Sequence, residues 1–187
     1  MINIDKIAHQ KDYEKLVFVL RRHWIILFGY FFIFFLEVFL PLAVIVALQS
    51  LIVTLLVHPI IGPLLILLAS LYALFILLFF FNNFIDYYLD VWIVTNERLT
   101  AIEQKGLFSR TVAELRYYRV QDVQSEVRGI IPTIFGYGNI MVQTAGTQPR
   151  FLMKQVPRAH SIAKRIQALM EEDHKYHDGK MKAEGIV

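Results

Sequence analysis

The sequence predicts a two-helix transmembrane hairpin followed by a mainly-β domain that a C-terminal α-helix closes. Three observations predict it. The apolar run from Trp24 to Phe81 contains one formal charge, Glu37, and one histidine, His58. After Phe81 the pattern turns to alternation, and from Pro157 apolar residues recur at intervals of three and four. About 20 apolar residues cross the hydrocarbon core as a helix, so the first run is too long for one span and suits two.

Residues 1–23 read as a short cytoplasmic lead-in helix, with Ile4, Ile7, Ala8, Leu16, Val17 and Leu20 roughly helix-spaced. The hairpin covers 24–83, with spans at about 24–48 and 62–81. Between them His58-Pro59-Ile60-Ile61-Gly62-Pro63 brings two prolines without an N–H and a glycine, a helix-breaking combination. Leu51 to Val57 either prolongs the first helix or forms a short strand-like connector. Pro41 kinks the first span and frees a carbonyl that a neighbouring helix or side chain has to satisfy. Lys6, Lys11, Lys15, Arg21 and Arg22 precede the run and the connector has no Lys or Arg, so the positive-inside bias places both termini in the cytoplasm. Span one then acts as an uncleaved signal anchor. Trp24 at one boundary and Tyr87, Tyr88 and Trp92 at the other fit interfacial anchoring, although the second group also fits a core. Glu37 at membrane depth is a functional hypothesis by default.

Hydrophobic residues make up 56% of the 187, and the remainder outside the hairpin is enough for one small domain. The chain has no cysteine, which excludes disulfides and thiolate chemistry. A net charge of +3 is slight, and no basic stripe interleaved with aromatics points to nucleic acid.

The domain is placed at 84–172. Leu89, Val91 and Ile93 alternate with Tyr88, Asp90 and Trp92, the period of a half-buried strand. Thr95-Asn96-Glu97 is a polar turn, with Asn96 suited to a hairpin, and Arg98 to Gln104 returns as a strand. Lys105-Gly106 turns again into residues 109–117, where Thr111, Ala113, Leu115 and Tyr117 share one face and Arg110, Glu114 and Arg116 the other. Val120 to Arg128, Ile140 to Gln143 and Phe151 to Met153 are further strands, the last two joined by a turn at Ala145 to Pro149. Ile130 to Phe135 is an apolar loop, either a helical turn packed on the domain or a segment that meets bilayer or partner. Gly136 and Gly138 permit a sharp bend around Tyr137. The closing helix starts at Pro157 and aligns Ala159, Ile162, Ala163, Ile166, Leu169 and Met170. Residues 173–187 read as a flexible tail, in which His174 and His177 are solvated. An antiparallel sandwich or small barrel follows.

The stretch Trp92 to Leu99, the turn Lys105-Gly106-Leu107-Phe108, Val120-Gln121-Asp122-Val123, Phe135 to Ile140 and the closing Val-Pro-helix, behind two N-terminal spans, resemble the bacterial pleckstrin-homology-like membrane proteins of the YdbS type. The resemblance implies a pleckstrin-homology fold, a bent antiparallel sheet or barrel capped by a C-terminal helix. It also implies a multi-pass protein of a prokaryotic inner membrane, with the domain on the cytoplasmic face. Lipid-binding members of the wider fold hold phosphates with several cations around the first hairpin. Here that hairpin offers Arg98, with Lys105 and Arg110 farther along, a departure from the pattern.

Arg116 and Arg119, with Gln121 and Asp122, form the denser polar cluster, fit for charge-assisted bonds to a lipid headgroup or an acidic peptide. No phosphate-binding glycine loop, nucleophile elbow or HExxH motif is present, so an enzyme, a cofactor and a metal site are not expected. The expected function is a membrane-anchored binding or adaptor module. Its expected partners are the bilayer, an anionic headgroup, and either a second copy or another membrane protein. The alternative is a small oligomeric transporter or channel subunit using Glu37.

Overall fold

The computed structural model describes the backbone of residues 14–144 and 151–183, with side chains up to Tyr176. Ile4, Ile7, Ala8, Lys6, Lys11, the turn at Ala145 to Pro149, and the His177 side chain lie outside the described residues. The chain divides into two compact units: 1–23, 89–104 and 110–187 form one, and 24–88 with 105–109 the other.

The apolar unit has three helices, α1 (Trp24–Ala47), α2 (Gln49–Val57) and α3 (Ile61–Leu89). Both α1 and α3 are long and apolar enough to cross a membrane. Leu51 to Val57 is therefore helix and belongs to a separate short element. His58 ends α2, and its ring Nδ1 accepts from the Ile60 and Ile61 N–H groups at 3.3 Å, capping the start of α3. Pro41 sits within α1, where its ring denies the Glu37 carbonyl an N–H donor four residues on. Tyr72 of α3 supplies the missing donor, its hydroxyl reaching that carbonyl at 3.1 Å. The expectation that a neighbour satisfies the freed group holds at the atom.

Two expectations about this unit's ends need correction. Residues 82–89 are helix, and α3 ends at Leu89, so Tyr88 and Leu89 are not strand residues. Phe80, Phe84 and Tyr88 stack at 6.2 and 6.1 Å, an interval of four that marks one helix face. The strand begins only after Asp90, and all five of its residues, Val91 to Thr95, are buried, where a half-buried strand was expected.

Among the described residues the sheet unit contains seven strands. One sheet has the order β1 (Leu16–Arg21), β2 (Val91–Thr95), β3 (Arg98–Lys105), β4 (Ser109–Arg116). The other has β5 (Val120–Glu126), β6 (Tyr137–Thr144) and β7 (Phe151–Pro157). A 3-10 turn at Tyr117–Arg119 carries the chain from one to the other, and no ladder joins β4 to β5, so the sheets do not close into a barrel.

The lead-in is also corrected, because Leu16 to Arg21 is strand rather than helix. Its Leu-Val-Phe-Val-Leu run is β-branched and aromatic, and it pairs antiparallel with β2, Leu20 opposite Trp92 and Arg21 opposite Val91. The two apolar helices are thus an insertion between two paired strands of one sheet.

The core lies between the sheets and the last helix, α5 (Ala159–Ala183), with Trp92, Leu99, Tyr117, Ile140, Met153 and Ile166 fully buried. Trp92 is a core residue and no interfacial anchor. The helix starts two residues after Pro157, which ends β7; Arg158 bridges them with a left-handed backbone, φ 50°. Ala159, Ala163 and Ile166 pack inward, and Ile162, Leu169 and Met170 flank them. Residues 173–183 continue the helix, where a flexible tail was expected. Lys175, Lys180, Met181 and Lys182 there are straight-chain residues that lose little rotamer freedom in a helix.

Ile130–Phe135 forms the short helix α4. Gly136 ends it in the left-handed region, φ 68°, which a side chain rarely adopts. Gly138 lies where a Cβ would meet Val127 and the Glu126 carbonyl across the ladder. Gly136 thus serves the exit from α4 and Gly138 a close approach of the neighbouring strand.

Candidate functional site

The polar turn after β2 is built before anything can bind there. Thr95 Oγ1 accepts from the Glu97 and Arg98 N–H groups at 3.3 and 3.1 Å, and the Asn96 side-chain oxygen accepts from Lys15 N–H at 2.7 Å. Asn96 thereby tethers the chain entering β1 to the hairpin. Glu14, just ahead of Lys15, has only 4% of its surface exposed. Its carboxylate takes two bonds from Arg98, Nε at 2.8 Å and Nη2 at 3.0 Å, while Arg98 Nη1 reaches Glu114 at 2.6 Å. The hydrogen bond to Glu14 is the main cause that raises the Arg98 pKa above its ordinary value, against the opposing effect of burial. Arg98 is therefore a buried structural cation gripped from two sides. Tyr117 closes this network from the crossover turn, its hydroxyl donating to the Thr95 carbonyl at 2.7 Å. Burial, and then the charge of Asp173, push the phenol pKa up and keep it a donor.

The crossover turn is different on its outer side. Arg116, Tyr118, Arg119 and Gln121 are exposed, while Tyr117 and Val120 point inward. Arg119 stacks its guanidinium 5.5 Å from the Tyr118 ring centroid. Among the described residues neither Arg116 nor Arg119 forms an ion pair. Asp122, half-buried on β5, accepts from Gln124 at 2.8 Å and takes no part in pairing the arginines. The fold thus places Arg116, Arg119 and Gln121 along one short crossover, separates Arg98 from them by burial, and assigns Asp122 to a local bond. Two solvated guanidiniums three residues apart, one stacked on a tyrosine, are each able to bond a carboxylate or phosphate.

A second polar feature was not evident in the sequence. A cleft of about 280 Å³ on the second sheet is lined by Arg128, Asn139, Lys154 and Gln155, among others. Gln155 has a left-handed backbone, φ 56°, held by its own N–H to Asn139 at 2.9 Å and its carbonyl to His23 N–H at 2.7 Å. Nothing in local sequence periodicity signals a positive φ at a glutamine.

The residues expected at the membrane edge divide. Arg22 donates twice to Asp90, at 2.9 and 2.5 Å, and to Gln155 at 3.4 Å, so it ties β1 to the chain leaving α3. Arg21 lies exposed at the end of β1. Trp24 and Tyr88 are exposed on the first turn of α1 and the last turn of α3, beside the half-buried Tyr87. His23 stacks on Tyr137 at 5.3 Å, and burial lowers its pKa. In the apolar unit Glu37 lines a cavity of about 60 Å³ with Tyr30 and Asn83, walled by phenylalanines.

Comparison with known proteins sets these findings in a family. No curated protein matches the chain. Among solved structures, a DUF1696 family protein with a pleckstrin-homology domain from Shewanella loihica PV-4 is similar at 16% identity, covering 43% of this chain and 70% of that one, with a TM-score of 0.36. The bacterial PH domain family model matches residues 31–170, which takes in most of α1, all of α2 and α3, and β2 to β7 but not β1, and the chain belongs to that family.

Proposed function

We propose that the chain is a membrane-anchored binding module whose sheet unit captures an acidic group, on a protein or a lipid headgroup, through the crossover turn. The observation that carries this is the pair of exposed, ion-pair-free guanidiniums of Arg116 and Arg119 on a domain interrupted by two helices of spanning length. In this reading α1 and α3 cross the membrane, and the arginines at 21 and 22 hold the sheet unit on the cytoplasmic side of a prokaryotic inner membrane. Tethering raises the domain's effective concentration for anything else at that surface. The chemistry is recognition without turnover: the crossover offers donors and charge but no nucleophile beside a base.

The test is capture by the full-length chain. After mild detergent extraction, the wild-type chain should retain an acidic protein or anionic lipid that Arg116→Ala with Arg119→Ala loses by about tenfold, two charge-assisted contacts being removed. Equal recovery with both chains removes the arginines from recognition. Release of the chain from membranes by alkaline carbonate removes the anchoring.

A second reading has its own observation, the small cavity that Glu37 shares with Tyr30 and Asn83. There Glu37 would carry protons or cations within an oligomer, since two spans alone cannot enclose a pathway. An ion flux abolished by Glu37→Gln with membrane insertion intact would support it.

A further inference from the structure

Strand β4 is the outer strand of the first sheet, with β3 on one side and, among the described residues, no strand on the other. Seven of its eight residues are exposed, and only Leu115 turns into the core. A long, open edge of this kind presents a row of unpaired backbone N–H and C=O groups, which chains ordinarily blunt with proline, bulges or inward charges. No proline interrupts Ser109 to Arg116, and its outward face reads Arg110, Val112, Glu114, Arg116.

We infer that β4 pairs antiparallel with β4 of a second copy of this chain, in a register centred on Val112. The commitment to a second copy rests on charge. A two-fold pairing opposes residue i to residue j and j to i. Centred on Val112, it sets Arg110 against Glu114 twice, with Val112 against Val112 between them. Centred on Ala113, it sets Arg110 against Arg116 twice, a repulsive arrangement. Centred between residues, it turns the Leu115 face of one sheet to the opposite side from the other. Of the two registers that pair seven residues of the strand with the faces aligned, centred on Val112 and on Ala113, the Val112 register is the one that opposes unlike charges. Each participant is available for it. Val112 is 56% exposed, Arg110 makes no ion pair among the described residues, and Glu114 gives one oxygen to Arg98 while its side chain remains 41% exposed. Backbone bonds along the edge supply the attraction, and the paired charges select the partner. The pairing goes beyond capture at the crossover turn and does not depend on it.

The natural chain has no cysteine, so single cysteines report contact directly. In membranes of cells making the full-length chain, Val112→Cys should give a disulfide dimer under mild oxidation, because directly opposed side chains bring their Cβ atoms within bonding range. Ser109→Cys on the same exposed strand should cross-link at least about tenfold more slowly, since the register holds its two copies roughly 20 Å apart. Adding Arg110→Glu to Val112→Cys should slow trapping about fivefold to tenfold, through two like-charge contacts. Adding Glu114→Lys should do the same. Mixing the two double variants, under different tags, should restore the mixed dimer, which also shows that both are folded. Equal trapping of the cysteines at 109 and 112 overturns the pairing, as does a Val112→Cys dimer indifferent to Arg110→Glu or a mixture that fails to recover. Capture unaffected by the Arg116 and Arg119 variant, with trapping at Val112→Cys as expected, overturns the binding proposal and leaves the pairing in place.

Discussion

Arg98 makes the residue-scale lesson concrete. As a sequence feature it is a cation at the end of a polar turn, and so a candidate for phosphate. In the fold it is enclosed by Glu14, which lies 84 positions earlier and has no local signature. Local turn chemistry at Thr95 is readable because its bonds close within three residues; the Asn96 bond to Lys15 and a buried partner across the sheet are not. Arg98→Ala leaves the Glu14 carboxylate buried and uncompensated, which should cost about 3–5 kcal/mol in denaturant unfolding. Tyr117→Phe removes one bond to the Thr95 carbonyl and should cost about 1 kcal/mol, with partner capture at the crossover turn retained. His23 predicts a pH effect. Its pKa is lowered in the fold, so the unfolded chain binds the proton more readily. The stabilisation is complete above the unfolded value of about 6.5 and is lost as pH falls below it toward the folded value. The thermal midpoint should therefore decline between about pH 7 and pH 5. Replacing His23 with glutamine should flatten that part of the slope.

Elements were readable where one period ran without competition. The amphipathic face of α5 and the hairpin of β2 and β3 follow from intervals of four and two. The misreadings occur where a stretch satisfies two patterns. Leu16, Val17 and Leu20 fit a helix face, yet the intervening Phe18 and Val19 make the segment a better strand once β2 is available to pair with it. The end of α3 satisfies alternation from Tyr88 onward, yet Phe80, Phe84 and Tyr88 keep it helical. The proline in α1 offers a sharper test. Tyr72 is needed because Pro41 leaves the Glu37 carbonyl without a donor. Tyr72→Phe should cost about 0.5–1.5 kcal/mol in the natural chain and close to nothing when Pro41 is alanine, which restores the helix's own bond. A double-mutant cycle in detergent measures the coupling directly. Additive costs would mean that the hydroxyl serves something other than the proline.

At the scale of the molecule the sequence reads as a hairpin first and a domain second, because apolar runs and strand periods follow each other along the chain. The fold is nested instead. Arg21 stands opposite Val91, and Arg22 is bound to Asp90, so the positions just before α1 and just after α3 are neighbours in one sheet. Only long-range pairing reveals this, and no period in a single sequence encodes it. The nesting makes two opposite predictions about truncation. A chain beginning at residue 84 discards β1, and with it Leu20 from the core, Glu14 from Arg98 and Arg22 from Asp90. Losing a core leucine and uncovering a buried charge each cost several kcal/mol, comparable to the whole stability of a small domain, so this chain should not fold. A chain in which residues 24–88 are replaced by a short flexible turn keeps all three, since the strands it must join already lie side by side. That chain should be soluble and unfold cooperatively, with the near-ultraviolet circular dichroism of a packed Trp92. If the order were reversed, with the shorter chain folded and the excised one not, β1 would be an accessory to the sheet and the apolar helices part of its core.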